Sequence, residues 1–116
     1  MQPVILIIEQ RPEVAEALAD VITSAHYSTI VRPHVEALDD LEVTPAAIIV
    51  RIAFENIGEP AHAAIARMPE DRPPIIAIVW EEKEADEAAR LACDVVLRAP
   101  GDVARLCDAL TSVVNA

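Results

Sequence analysis

Ala46-Ala47-Ile48-Ile49-Val50-Arg51-Ile52 is an apolar run interrupted by one arginine. It lacks the apolar/polar alternation of a strand with one face in water, and it is short for a buried helix. A strand covered on both faces reads this way, and such strands belong to parallel sheets. Outward from this run the pattern recurs. Val4–Ile8 and Ile75–Val79 are continuous and rich in isoleucine, and Val95–Leu97 is a shorter version. Ser28–Val31 is more polar and suits the edge of a sheet.

Segments of helical period separate these runs. Val14, Leu18, Val21, Ile22 and Ala25 form one stripe, with Pro12 suited to the first helical position and Glu13 to the positive end of the dipole. Val35, Leu38 and Leu41 mark a second helix, and Ala61, Ala64, Ile65 and Met68 a third. Ala85, Ala88, Leu91 and Ala92 mark a fourth behind the acidic run Glu81 to Glu87. Val103, Leu106, Leu110, Val113 and Val114 mark a fifth, opened by Gly101-Asp102. Strand and helix alternate five times over residues 1–116. This predicts one domain, a doubly wound, flavodoxin-like α/β fold with five parallel strands in order 2-1-3-4-5.

Composition narrows the function. Nine basic residues against twenty acidic ones give a net charge of −11, which repels nucleic-acid phosphates and anionic membrane surfaces. Valine, isoleucine and leucine number 34, enough for a core, so disorder is excluded. No apolar run approaches the roughly 20 residues of a membrane span, and no basic stretch precedes Val4 as in a secretory signal peptide. The expected compartment is the cytoplasm, with Cys93 and Cys107 reduced and packed as small core residues. The only glycines are Gly58 and Gly101. The loop after the first strand, Glu9-Gln10-Arg11-Pro12-Glu13, has none, so no phosphate cradle of the nucleotide or flavin type exists there.

In a sheet of this order, ligands sit beyond the carboxyl ends of the strands, near the switch point between the first and third. Glu9-Gln10, Arg51, Val79-Trp80 and Arg98-Ala99-Pro100 stand there. With these positions in view, the whole chain resembles a response-regulator receiver domain. The first strand runs Ile5-Leu6-Ile7-Ile8 into Glu9-Gln10, where receivers carry an acidic pair. Ala25-His26-Tyr27 stands where they read Gly-Tyr. Ala46 to Val50 lead into Arg51 where they place an aspartate, and Pro74-Ile75-Ile76-Ala77-Ile78 leads into Val79 where they place Thr or Ser. Ala92-Cys93-Asp94 through Arg98-Ala99-Pro100 follows the signature that ends in Lys-Pro.

The resemblance implies a phosphorylation pocket, and the chain keeps Glu9 and Pro100 of it but departs at the other functional positions. Arg51 replaces the phosphoacceptor aspartate, Gln10 one of the two magnesium-binding acids, Val79 the hydroxyl and Ala99 the lysine. Arginine stays protonated and is no nucleophile, and a fixed cation repels Mg²⁺, which wants several carboxylate or water oxygens. The expectation is a degenerate receiver with no catalytic residue, no cofactor and no metal, its Mg²⁺ binding lost. Arg51 and Glu9, ending neighbouring strands, are expected to form an ion pair in place of metal and lysine; the alternative has Arg51 in solvent. Trp80 covers the pocket, anchors a partner, or packs over the third or fourth helix. His26, His34 and His62 show no metal-ligand spacing.

Receivers commonly meet partners, or their own copies, through the fourth helix, fifth strand and fifth helix. Here that face is expected to present Glu84, Glu87, Arg90, Arg98, Arg105 and Asp108, mixed charges that could pair across a two-fold axis or form plain surface. The reading is therefore a phosphorylation-independent, non-enzymatic signalling module that binds a protein partner or homodimerises in a two-component context. The alternative retains phosphoryl transfer at an unusual site such as Glu9 or a histidine.

Overall fold

The computed structural model describes residues 2–33, 43–52, 68 and 71–114. In chain order these form β1 (Val4–Ile8), α1 (Pro12–Ser24), β2 (Ser28–Arg32), β3 (Ala47–Arg51), β4 (Ile75–Val79), α2 (Glu82–Arg90) and β5 (Val95–Arg98). A 3-10 turn (Gly101–Arg105) then leads into α3 (Leu106–Val114). The five strands form one parallel sheet in the order β2-β1-β3-β4-β5, as the sequence predicts. The helix predicted around Val35 to Leu41 lies outside the described residues, as do Ala61, Ala64 and Ile65 of the one predicted from Ala61 to Met68; Met68 itself packs against the core.

Both faces of the central strands are covered, which is why their sequences do not alternate. One face sends Leu6, Ile8, Ile48, Val50, Ile75, Ala77 and Val79 against Ala88 and Leu91. The other sends Ile5, Ile7, Ile49, Ile76 and Ile78 against Leu18 and Ile22 of α1 and Leu106 and Leu110 of α3. β2 has β1 as its sheet neighbour and is half-buried, in keeping with its more polar sequence. The order returns the chain from β2 across β1 to β3, so the ends of β1 and β3 adjoin at the switch point.

Pro12 opens α1 as expected. Its buried line, however, is Ala15, Leu18 and Ile22, and Val21 from the predicted stripe is 48% exposed. Leu18 and Ile22 of the predicted stripe are buried, and the buried line continues through Ala15 and leaves Val21 on the flank. Both α1 and α2 end in a left-handed residue, His26 (φ 70°) and Ala92 (φ 56°). After α1 the His26 N–H donates to the Thr23 carbonyl at 3.0 Å and the Tyr27 N–H to that of Ile22 at 3.4 Å. After α2 the Ala92 N–H donates to Ala89 at 3.0 Å and the Cys93 N–H to Ala88 at 3.2 Å. This pair of bonds is the Schellman arrangement that closes a helix. Arg72 reaches the same end of α2, donating to the Leu91 carbonyl at 2.8 Å, and Asp94 accepts the Ile75 N–H at 2.8 Å to fix the start of β4.

Candidate functional site

The strands deliver Glu9, Arg51, Trp80 and Ala99 to one end of the sheet, each at or just past the end of β1, β3, β4 and β5. Register brings them together, since β1 pairs Ile8 with Val50 and β3 pairs Arg51 with Ile78. Glu9 is 5% exposed. Its Oε1 accepts the Arg11 backbone N–H at 3.0 Å, which ties the carboxylate to the start of α1. Arg51 Nη1 lies 3.6 Å from the same oxygen, its side chain 22% exposed. The expected ion pair is thus present, in an ion-pair geometry longer than a hydrogen bond. Glu9 Oε2 and Arg51 Nε are buried and have no hydrogen-bond partner among the described residues.

A cleft of about 230 Å³ lies beside this pair, lined by Glu9, Arg51, Trp80 and Ala99 together with α1 and the 3-10 turn. Trp80 lines it while remaining 48% exposed, so of its three readings burial beneath a helix is the one the structure corrects. Val79 is fully buried in the core on the opposite face of the sheet and does not line the cleft. Gln10 is half-buried and outside the cleft as well. Of the five expected pocket positions, Glu9, Arg51 and Ala99 therefore share the cleft, and Gln10 and Val79 do not. A divalent cation of the hard, oxygen-seeking kind does not fit this end. Its buried carboxylate already faces a guanidinium, and no group of three acidic, histidine or cysteine side chains gathers among the described residues.

The expected interaction face is corrected at Glu84. This residue is 8% exposed, and its Oε1 accepts the backbone N–H groups of Trp80 at 2.7 Å and Glu81 at 3.2 Å. It completes a capping box with Glu81 at the head of α2, so its charge serves the helix terminus and not a surface. The sequence conceals this because glutamate is an unusual N-cap residue. Arg90, Arg98, Arg105 and Asp108 are exposed and Glu87 is half-buried, and the three arginines have acidic partners within the chain. Arg98 pairs with Glu82 at 3.0 Å, Arg105 with Asp102 at 3.1 Å, and Arg90 with Glu87. The Glu87 hydrogen bond pushes the Arg90 guanidinium above its ordinary value. Asp108 is exposed. Glu82 and Asp102, absent from the sequence expectation, thus belong to this face. Asp102 also accepts the Arg98 N–H at 2.9 Å.

Cys93 packs against the α2 side of the core, and burial pushes its thiol above the ordinary value. Cys107 is half-buried and belongs to neither core cluster, which corrects its assignment as a core residue. No described helix is long and apolar enough to cross a membrane.

No protein-family model matches the chain, and no curated protein matches it. Solved structures do. It is similar to a putative response regulator from Chloroflexus aurantiacus, at 18% identity over 100% of both chains with a TM-score of 0.85. It is also similar to a response regulator receiver protein from Burkholderia phymatum, at 14% identity over 98% of this chain and 96% of the other, TM-score 0.82. A CheY-like response regulator receiver domain from Methylobacillus flagellatus matches at 20% identity over 97% and 99%, TM-score 0.77. The chain therefore has the receiver fold, in agreement with the architecture expected from its sequence.

Proposed function

We propose that this chain is a single receiver-like domain, residues 1–116, that signals without aspartyl phosphorylation. It acts by binding a protein partner or a second copy of itself in a two-component setting, in the cytoplasm and without an enzymatic activity of its own. The observation that carries this reading is the Arg51 guanidinium at the end of β3, 3.6 Å from the buried carboxylate of Glu9. A receiver needs an aspartate nucleophile at that strand end, a magnesium ion on neighbouring acids, and a hydroxyl and a lysine for the phosphoryl oxygens. Arginine cannot attack phosphorus. Its fixed charge takes the place of the cation, so Mg²⁺ binding is lost. Val79 and Ala99 offer the phosphoryl group no hydrogen bond. With the cation built in, this end of the sheet holds one state.

Output through the α2–β5–α3 side fits the run of charges there, with Arg90, Arg98, Arg105 and Asp108 exposed to a partner and Glu87 held beneath Arg90. Arg98 and Arg105 pair within the chain at about half and two-thirds exposure, 54% and 65% of the side chain, so solvent screening leaves them able to exchange partners.

The test is intact mass after incubation with acetyl phosphate and Mg²⁺. Neither the wild-type chain nor Arg51→Asp gains the mass of a phosphoryl group, because the substitution restores the nucleophile but not the hydroxyl or the lysine. Stoichiometric labelling of the wild-type chain would overturn the reading, and robust labelling of Arg51→Asp would show that Val79 and Ala99 are not the deficiency.

A further inference from the structure

The apolar stripe of α1 is wider than the sheet can cover. Contact with the sheet buries Ala15, Leu18 and Ile22. Val14 and Val21 of the same stripe are left on the flank, and with Ala17 and Leu18 they line the cleft at the Glu9–Arg51 end. Trp80 and Val103 line it too. Val21 and Trp80 are each 48% exposed, and they are two of the four large apolar side chains exposed among the described residues. Single apolar residues on a surface are ordinary, but two that meet at one concave site mark a contact surface. The surface the cleft presents is almost wholly apolar, and the Glu9 and Arg51 charges beside it are turned to each other.

We propose that this cleft binds a small, uncharged aromatic molecule of one or two fused rings, held by apolar contact alone. The volume of about 230 Å³ exceeds the roughly 150 Å³ of an apolar cavity that takes benzene, so a fused bicycle fits. Apolar walls offer a charged ligand no hydrogen bond, so a charge of either sign would lose its hydration without compensation. Trp80 gives the wall an aromatic ring, against which a second ring packs offset or edge-on. The surroundings select a small molecule over a macromolecule. A stable protein contact buries about 800 Å² on each side, whereas exposed acids adjoin the cleft residues along the chain, Glu13 next to Val14, Asp20 next to Val21 and Glu81 next to Trp80. A second copy would bring the same acids and its own net charge of −11, so like charges would meet. The inference goes beyond the signalling reading, to which it adds a chemical input.

The test is a titration of the ¹⁵N-labelled chain with indane, with 2-aminoindane and indane-2-carboxylate as the same bicycle carrying a positive or a negative charge. Trp80 is the only tryptophan, so its indole N–H gives a single reporter signal. Indane shifts that signal and the amides of Val21 and Val103 saturably, with a midpoint below roughly 0.5 mM for a ligand of this size. Both charged bicycles bind at least tenfold more weakly. Ala17→Phe fills the cleft from an exposed position that lines it and weakens indane at least tenfold. Val21→Asp, which puts a charge into the wall, does the same and serves should the first variant not fold. The proposal is overturned by the absence of a saturable shift, by equal binding of a charged bicycle, or by binding that survives a folded blocking variant. Tighter binding of N-acetylphenylalanine amide than of indane would overturn it in favour of a partner's side chain. A Trp80 signal that moves with protein concentration in the absence of ligand would overturn it in favour of a second copy. Phosphoryl uptake from acetyl phosphate would sink the signalling reading and leave these shifts as they are, so the two fail separately.

Discussion

Glu9 is the residue on which this end of the molecule turns. A carboxylate 5% exposed needs compensation, and it has one backbone N–H, from Arg11, and one guanidinium. Arg51→Met keeps the apolar stem and removes the charge. The carboxylate then stays buried with a single hydrogen bond, at a cost of about 2 kcal/mol. Glu9→Gln costs less, about 1 kcal/mol, because Arg51 can turn toward water. The double variant is expected to sit near Glu9→Gln alone, since neutralising the acid removes the need for the cation. Urea denaturation of the four proteins measures the coupling. Strictly additive losses would mean that the 3.6 Å contact contributes nothing. The pair was legible in the sequence because a glutamate and an arginine end adjacent strands of a predictable order. The bare second oxygen of Glu9 was not, since it depends on side-chain placement and not on residue type.

At the scale of elements, the helix ends show how the chain departs from a typical receiver. Gly-Tyr after the first helix and Gly before Ala-Asp in the last signature supply a left-handed residue without strain. This chain places His26 and Ala92 in those positions at φ 70° and 56° and keeps the same Schellman bonds. A side chain in that region costs roughly 1 kcal/mol, offset in part by the extra freedom glycine brings to the unfolded chain. His26→Gly and Ala92→Gly are therefore each expected to stabilise the protein by about 0.5 kcal/mol, and the two should add because the sites share no partner. Thermal or urea unfolding of the single and double variants checks this, and destabilisation by either would show that the native side chain contributes more than its backbone costs. The resemblance located both positions, but composition alone did not, as nothing in Ala25-His26-Tyr27 announces a left-handed turn. The stripe of α1 was legible in period and missed in phase. Residues 14, 18, 21, 22 and 25 fit one helical face, and the docking of α1 on the sheet, which buries Ala15 with Leu18 and Ile22, decides which edge of that face is covered. Glu84 was misplaced for a related reason. An acidic run has the same appearance whether a member points to water or folds back onto the helix terminus, and the choice is made by the N–H groups of Trp80 and Glu81.

For the whole molecule, the sheet order sets a hierarchy of stability. β1, β3 and β4 are covered on both faces and have a neighbour strand on each side. β2 and β5 are the edges, and their residues are mostly half-buried. Continuous Val/Ile runs mark the first group in the sequence and shorter or more polar runs the second, so this hierarchy follows from composition once the order is known. Opening an edge strand exposes less apolar surface than opening a central one, because one ladder breaks and not two. Native-state hydrogen exchange is thus expected to rank the hydrogen-bonded amides. Those of Leu6, Ile7, Ile49, Ile76 and Ala77 exchange only through global unfolding. Those of β2 and β5 exchange through local opening, faster by at least tenfold at neutral pH. Denaturant dependence separates the two routes, since global opening carries the full slope of the equilibrium transition and local opening carries little. If β2 amides show the full slope, the edge is held as firmly as the centre, and the site-bearing ends of β1 and β3 lose their standing as the most rigid part of the molecule. If the ranking holds, Glu9 and Arg51 stand at the ends of two of the three central strands, so their backbones stay fixed and a change at these two residues comes from their side chains.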